Sequence, residues 1–226
     1  MYKSVIVIDD FYPDPHKLRE TALALDYPPP VPGQTFPGRN SATRLLIDGM
    51  DRIVSQIVNE PMRGNLRNAH GRFRMTLASD PAGRFNIHID EDTVWAGIAY
   101  LTLPEHCQGG SVFYRHIPTG TDRAPILPGD LAAFGADTPE DAVAKVLDPD
   151  SSDPSKWEAI MTVPMRFNRL ALFRPWFWHA GTEAFGDDPE NGRLIQVLFF
   201  THDERAAQQP RRPAPPSAKA TVPLPI

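Results

Sequence analysis

Arg193-Leu194-Ile195-Gln196-Val197-Leu198-Phe199-Phe200 is the stretch on which the fold turns. Side chains on extended backbone alternate between two faces. Arg193, Ile195, Val197 and Phe199 share one face; Leu194, Gln196 and Leu198 share the other. Apart from the leading arginine and Gln196 both sets are apolar, which predicts a strand buried on both sides. Upstream lie further short apolar runs divided by Gly and Pro: Phe73–Ala78, Val94–Leu103, Ser111–Arg115, Leu131–Phe134, Arg169–Phe173 and Phe177–His179. Before them, Lys3–Ile8 reads as a strand. Asp14-Pro15 reads as the N-cap and first turn of a helix over about 15–26, with Leu18, Ala22 and Leu25 at helical spacing. Phe36–Asn40 reads as a turn. Ser41 then caps a second helix over about 42–60, with Leu46, Met50, Ile53 and Ile57 on one face and Pro61 at its end. Short strands following two helices predict a mainly β chain, an antiparallel sandwich or barrel with the helices packed outside.

At 226 residues the chain holds one domain with a full core and extensions. We read residues 1–204 as that domain: an N-terminal strand and two helices in 1–62, a core over 70–204, and an insertion at about 117–165. Within the insertion, Asp137–Trp157 is polar with weak helical spacing at Ala142, Val146 and Leu147. The 25 prolines, about twice ordinary usage, gather in Tyr27–Pro32, a stiff extended connector, in middle loops, and in a Pro/Ala-rich tail over 205–226. The tail lacks apolar periodicity and reads as disordered or laid on the surface. The net charge is −5 and no Lys/Arg run stands out, which argues against nucleic acid and anionic membranes as partners. No apolar run approaches the length of a membrane span, and the N-terminus has no leader pattern. Cys107, the single cysteine, cannot form an internal disulfide; it reads as a loop thiol and suits the cytoplasm.

The chemistry-bearing residues are His88-Ile-Asp90 and His179. Two imidazoles and one carboxylate on one face of a metal leave the other face open, the ligand set of non-haem Fe(II) oxygenases. The His-x-Asp pair alone decides nothing: with 7 histidines and 28 carboxylates, about one such pair arises by chance. Position decides. His88 and Asp90, two apart, share a face on extended backbone and precede an apolar strand. His179 ends another apolar run, beside Trp176, Phe177 and Trp178, which can wall a pocket or simply pack. Taken by itself, His179 reads as a core or rim histidine bonded to a carbonyl. His202 and Glu204 read as solvated; His16, His70, His106 and His116 read as surface or loop residues. Arg193, on a doubly apolar strand, needs an anion, because an unpaired buried charge is prohibitive. A carboxylate-bearing ligand and a structural salt bridge are both open, since a guanidinium donates two parallel N–H bonds to a carboxylate in either case.

The order of these parts over about 70–200 resembles the Fe(II)/2-oxoglutarate-dependent oxygenase superfamily, in its prolyl-hydroxylase-like branch. That order runs His88-Ile-Asp90, Tyr100-Leu101, Gly109-Gly110-Ser111-Val112-Phe113, Asn168–Phe173, His179 and Gly192-Arg193-Leu194-Ile195. The resemblance implies a double-stranded β-helix (jelly-roll) in which His88, Asp90 and His179 hold Fe(II). It implies that the cosubstrate 2-oxoglutarate sets its far carboxylate on Arg193, with Tyr100 either bonding that carboxylate or serving as a core aromatic. The reaction implied is hydroxylation of a small-molecule or peptide substrate by O2, rather than halogenation, because related halogenases lack the carboxylate found here at Asp90. The gap between His179 and Arg193, and the stretch Ile117–Met165, are longer than usual in such proteins, so Arg174 stays open as an alternative carboxylate anchor. Arg39 is a candidate substrate anchor. A cupin-like jelly-roll that binds a metal or ligand without redox chemistry is the competing function.

Overall fold

Helix cover, a large sheet, a small sheet and a second helix cover follow one another in layers, and alternation along each strand decides what each layer touches. The computed structural model describes residues 2–30, 34, 36–80 and 87–204. The tail 205–226 and Val31-Pro32 of the connector lie outside these residues. In chain order the elements are β1 (Val5–Ile8), α1 (Pro15–Leu23), β2 (Arg39–Arg44), α2 (Met50–Val58), β3 (Met62–Gly64), β4 (Arg72–Thr76), β5 (Trp95–Tyr100), β6 (Gly110–His116), α3 (Pro139–Asp150), β7 (Trp157–Pro164), β8 (Leu170–Phe173), β9 (His179–Gly181) and β10 (Arg193–His202). The large sheet runs β1-β8-β5-β10-β4-β2, with β3 also on β10; the small sheet runs β7-β6-β9. Every strand pairing among the described residues is antiparallel.

β10 lies between β5 and β4 and is buried on both faces from Arg193 to Leu198, as its doubly apolar pattern predicts. Leu194, Leu198 and Phe200 join Phe73, Met75 and Trp95 in the core under α1 and α2. Ile195 and Val197 point the other way, into a core shared with Tyr100, Phe173, and Phe113 and Val163 of the small sheet. The far face of the small sheet packs Val112, Tyr114 and Trp178 against Ala142 and Val146 of α3. Each fully buried aliphatic side chain contributes about 1.5–3 kcal/mol.

Local chemistry accounts for the element ends. Asp14 Oδ1 accepts the Lys17 amide at 3.0 Å and caps α1 as expected, although the helix stops at Leu23. The second helix is shorter than its apolar spacing predicts. Residues 39–44 form β2 instead, because Ser41 points into the sheet, where its hydroxyl accepts the Phe73 amide at 3.0 Å. α2 begins after Gly49, whose φ of 75° suits glycine, and buries Met50 of the predicted face together with Val54 and Val58. Leu46 and Ile53 are exposed.

Three further differences concern strands. Leu131–Phe134 lies in a short 3-10 helix, Pro128–Phe134, and is not a strand. The strand expected at Phe177–His179 starts at His179, because Pro175 and Trp176 form a turn first. β7 carries no alternating signal: Glu158 to Thr162 are all exposed along this edge strand, so it reads as loop although it pairs with β6 throughout. α3 forms where the weak spacing of Ala142 and Val146 placed it.

Gly110 joins the sheet strands at one end. Its amide bonds Thr182 Oγ1 at 2.9 Å, and its carbonyl accepts the Thr182 amide at 3.1 Å. A Cβ on Gly110 would lie 2.1 Å from the Val163 carbonyl oxygen, so an alanine must push β7 off β6. Gly110→Ala is expected to cost about 1–3 kcal/mol, visible as a melting temperature lower by roughly 2–12 °C in a scan.

Candidate metal centre

His88 and His179 face each other as an antiparallel bridge: the His88 amide bonds the His179 carbonyl at 3.0 Å and the His179 amide returns the bond at 3.1 Å. The Asp90 amide bonds the Pro175 carbonyl at 3.0 Å, which holds the next turn of the same extended segment in place. Ile87 and Ile89 pack into the outer core with Trp178 and Val112, so alternation turns His88 and Asp90 the other way, toward the large sheet. His179 points there too, its ring 4.7 Å from that of Phe173 and 6.2 Å from that of Phe113.

The three side chains offer donor atoms that all lie within 4.8 Å of one another. His179 Nε2 is 3.3 Å from Asp90 Oδ2, and His88 Nε2 is 3.9 Å from Asp90 Oδ1. Two ligands about 2.1 Å from one ion are about 3 Å apart at right angles, so small rotamer adjustments bring this set around a cation. His179 Nδ1 is 2.8 Å from the Phe177 carbonyl oxygen. A proton on Nδ1 donating there leaves the Nε2 lone pair facing Asp90, the tautomer a metal ligand needs. Burial raises the Asp90 pKa, but His179, His88 and Arg74 outweigh it, and the carboxyl sits below its ordinary value. Exposure falls from 44% for the His88 side chain to 18% for Asp90 and 5% for His179, so the site opens at His88.

Arg193 and Tyr100 stand across from this cluster on the inner face of the large sheet. Tyr100 lies opposite Ile195, the next same-face residue after Arg193. Its hydroxyl is 2.7 Å from Ser111 Oγ, and burial raises its pKa, so it stays protonated. Arg193 is 6% exposed, and its Nε has no hydrogen-bond partner. A Cβ on Gly181, two residues after His179 on β9, would lie 3.5 Å from Arg193 Nη2. The guanidinium therefore reaches the strand that carries His179. Burial pulls its pKa down, opposed by Tyr100.

The other expectations divide. Arg174 is committed elsewhere: it ion-pairs with Glu60, bonds the Lys3 and Val94 carbonyls, and lies 4.0 Å over the Trp95 ring. Arg39 lies opposite Met75, which points to the helix side, and it sits 3.9 Å from Asp80 rather than at the cluster. His70 and His116, expected at the surface or in loops, are both buried, His70 in a turn and His116 at the end of β6. His70 Nδ1 accepts the Phe199 amide at 2.9 Å; His116 lies between Asp150 and Thr119 at 2.9 Å each. Trp95 and Trp178 are fully buried core residues, whereas Phe177 packs against the core between the sheets. One residue had no place in the sequence reading: Arg74 of β4. It lies opposite Ile195 on the side away from Tyr100, close enough to Asp90 and Arg193 for each to shift its pKa. The alternation Arg72-Phe73-Arg74-Met75 was its only signal.

Two antiparallel sheets with outer helices, and a His-Asp-His cluster between them, define the class of architecture. The chain belongs to DUF6445, a family of unknown function, whose model matches residues 2–200. No curated protein matches it. Similar solved structures include HygX from Streptomyces hygroscopicus with nickel and 2-oxoglutarate bound, at 14% identity, covering 89% of this chain and 84% of that one, with a TM-score of 0.45. HygX with nickel, 2-oxoglutarate and hygromycin B bound is similar at 13% identity, the same coverages and a TM-score of 0.46. No helix among the described residues is long and apolar enough to cross a membrane.

Proposed function

We propose that this chain is a non-haem iron oxygenase with a jelly-roll core, coupling 2-oxoglutarate decarboxylation and O2 to hydroxylation of a small-molecule or peptide substrate. His88, Asp90 and His179 would hold Fe(II); Arg193 and Tyr100 would receive the far carboxylate of 2-oxoglutarate. The observation that carries this reading is the convergence of three metal-type donors opposite a buried guanidinium with no acid partner. Iron, when bound, supplies the activation of O2 that no side chain can provide.

The protein's own residues do the rest. The Phe177 carbonyl orients the His179 ring, and the nearby Arg74 guanidinium favours the ionised form of Asp90. Phe113 and Phe173 wall the buried side of the cluster and exclude water there. Arg193 offers an oxyanion two parallel N–H bonds, and Tyr100 can add a third. A carboxylate at position 90 favours hydroxylation over halogenation, because it fills the place a chloride would need.

Anaerobic addition of Fe(II) and then 2-oxoglutarate is expected to produce a visible charge-transfer band, and admission of O2 is expected to release succinate without added substrate. A metal-binding jelly-roll without redox activity would take up the metal but give neither signal, and that result would overturn the assignment.

A further inference from the structure

We propose that Arg74, with Asn40 and Phe36, forms a second anion subsite beside the metal cluster, and that the substrate carries a carboxylate which binds there. This inference rests on the oxygenase reading above and deepens it by naming the substrate class.

The large sheet separates the two arginines by function. Along one row across its inner face stand Tyr100, Ile195, Arg74 and Asn40, on β5, β10, β4 and β2. Tyr100, with Ser111 bonded to it, lies on one side of Ile195, and Gly181 lies near Arg193. Arg74 lies on the other side, where its Nε donates to Asn40 Oδ1 at 2.9 Å and its Cζ lies 3.6 Å from the Phe36 ring centroid. The hydrogen bond and the stack fix the plane of the guanidinium. No other hydrogen bond of Arg74 occurs among the described residues. Those residues include every Asp and Glu of the chain, and none of these acids forms an ion pair with Arg74 or Arg193.

Charge decides what is missing. A divalent ion neutralised once by Asp90 keeps one positive charge, and the two guanidiniums add two more. A 2-oxoglutarate dianion, chelating the metal and reaching Arg193, cancels two of the three. One positive charge remains, on Arg74, and an excess charge only partly open to water favours an anion. Arg193 is buried whereas Arg74 is half-buried, so the uncompensated cation is the one a molecule entering from solvent can reach. A planar fork held flat on an aromatic ring suits a carboxylate bound side-on.

The test uses the Mn(II)-loaded protein saturated with 2-oxoglutarate, with butyrate as the probe and uncharged butyramide as its control. Paramagnetic broadening of the probe's proton signals reports binding near the metal. Butyrate is expected to broaden and butyramide not. Arg74→Gln is expected to weaken butyrate binding about tenfold or more, the scale of a lost charged hydrogen bond, while the affinity for 2-oxoglutarate changes less than about threefold. Arg193→Gln should do the reverse to 2-oxoglutarate. Arg74→Lys keeps the charge without the fork, so it controls for folding, and it should fall between the wild type and Arg74→Gln. Equal binding of the two probes, or butyrate binding that survives Arg74→Gln, overturns the subsite. So does a loss of 2-oxoglutarate in Arg74→Gln as large as in Arg193→Gln, which would make Arg74 part of the cosubstrate clamp. If the wild type binds no 2-oxoglutarate, the oxygenase reading fails by itself. Butyrate titration of the protein without cosubstrate then still decides the subsite, by whether binding depends on Arg74.

Discussion

Asp90→Ala is expected to abolish succinate release and to weaken Mn(II) or Fe(II) binding by at least about a hundredfold. That magnitude is a lower bound, because loss of a group that merely supports a ligand already costs about 10–100-fold. Asp90 is the only anion of the cluster and touches both histidines, at 3.3 and 3.9 Å. Alanine leaves two imidazoles and no anion beside two guanidiniums, a field that repels a dication. Asp90→Asn separates charge from shape: its amide oxygen can still point at the ion, so binding should recover in part while turnover stays low. Metal titration by calorimetry and succinate measured by chromatography check both. Unchanged metal affinity in Asp90→Ala would mean that the ion sits elsewhere and that the cluster is a hydrogen-bonded core feature.

What could be read from the sequence depended on whether burial left a periodic trace. β10 was legible because both its faces are covered, and Arg193 stood out against that background. The pair at positions 88 and 90 was legible through its spacing of two, and the fold then bridges it to His179 by two backbone hydrogen bonds. Arg74 was illegible for the converse reason. In Arg72-Phe73-Arg74-Met75 an apolar face alternates with a charged one, as in any sheet edge facing water. Only tertiary packing, which brings Asp90 and Arg193 close to Arg74, distinguishes that face from a solvated one, and no local pattern records this. β7 failed likewise, since its exposed middle shows no alternation. The second helix reads from the sequence as starting too early because Leu46 happens to fall at helical spacing from Met50, Ile53 and Ile57, which do lie on α2. The hydroxyl of Ser41, bonded into β4, holds the preceding residues in a strand.

Two arginines of nearly equal burial should respond to the same substitution with opposite signs. Arg174, 5% exposed, is fully engaged by Glu60, two carbonyls and the Trp95 ring. Arg174→Met leaves a partly buried carboxylate and two carbonyls unpaired, and is expected to cost about 3 kcal/mol. Arg193, 6% exposed, has an unsatisfied Nε and no ion pair with any acid. Without ligand it holds a desolvated charge with no acid partner among the described residues. Arg193→Met keeps the length of the side chain and removes that charge, so the ligand-free protein is expected to gain about 1–3 kcal/mol, a melting temperature higher by several degrees. The gain comes at the expense of binding: loss of a bidentate carboxylate contact should weaken 2-oxoglutarate by at least about a hundredfold. Saturating 2-oxoglutarate, added to the Mn(II)-loaded proteins, should then raise the melting temperature of the wild type further and leave Mn(II)-loaded Arg193→Met nearly where it was. A residue kept at a cost to the empty fold, and repaid only when an anion arrives, is a binding residue. If Arg193→Met instead melts below the wild type in the absence of ligand, Arg193 has an internal partner, and the carboxylate site assigned to it is gone.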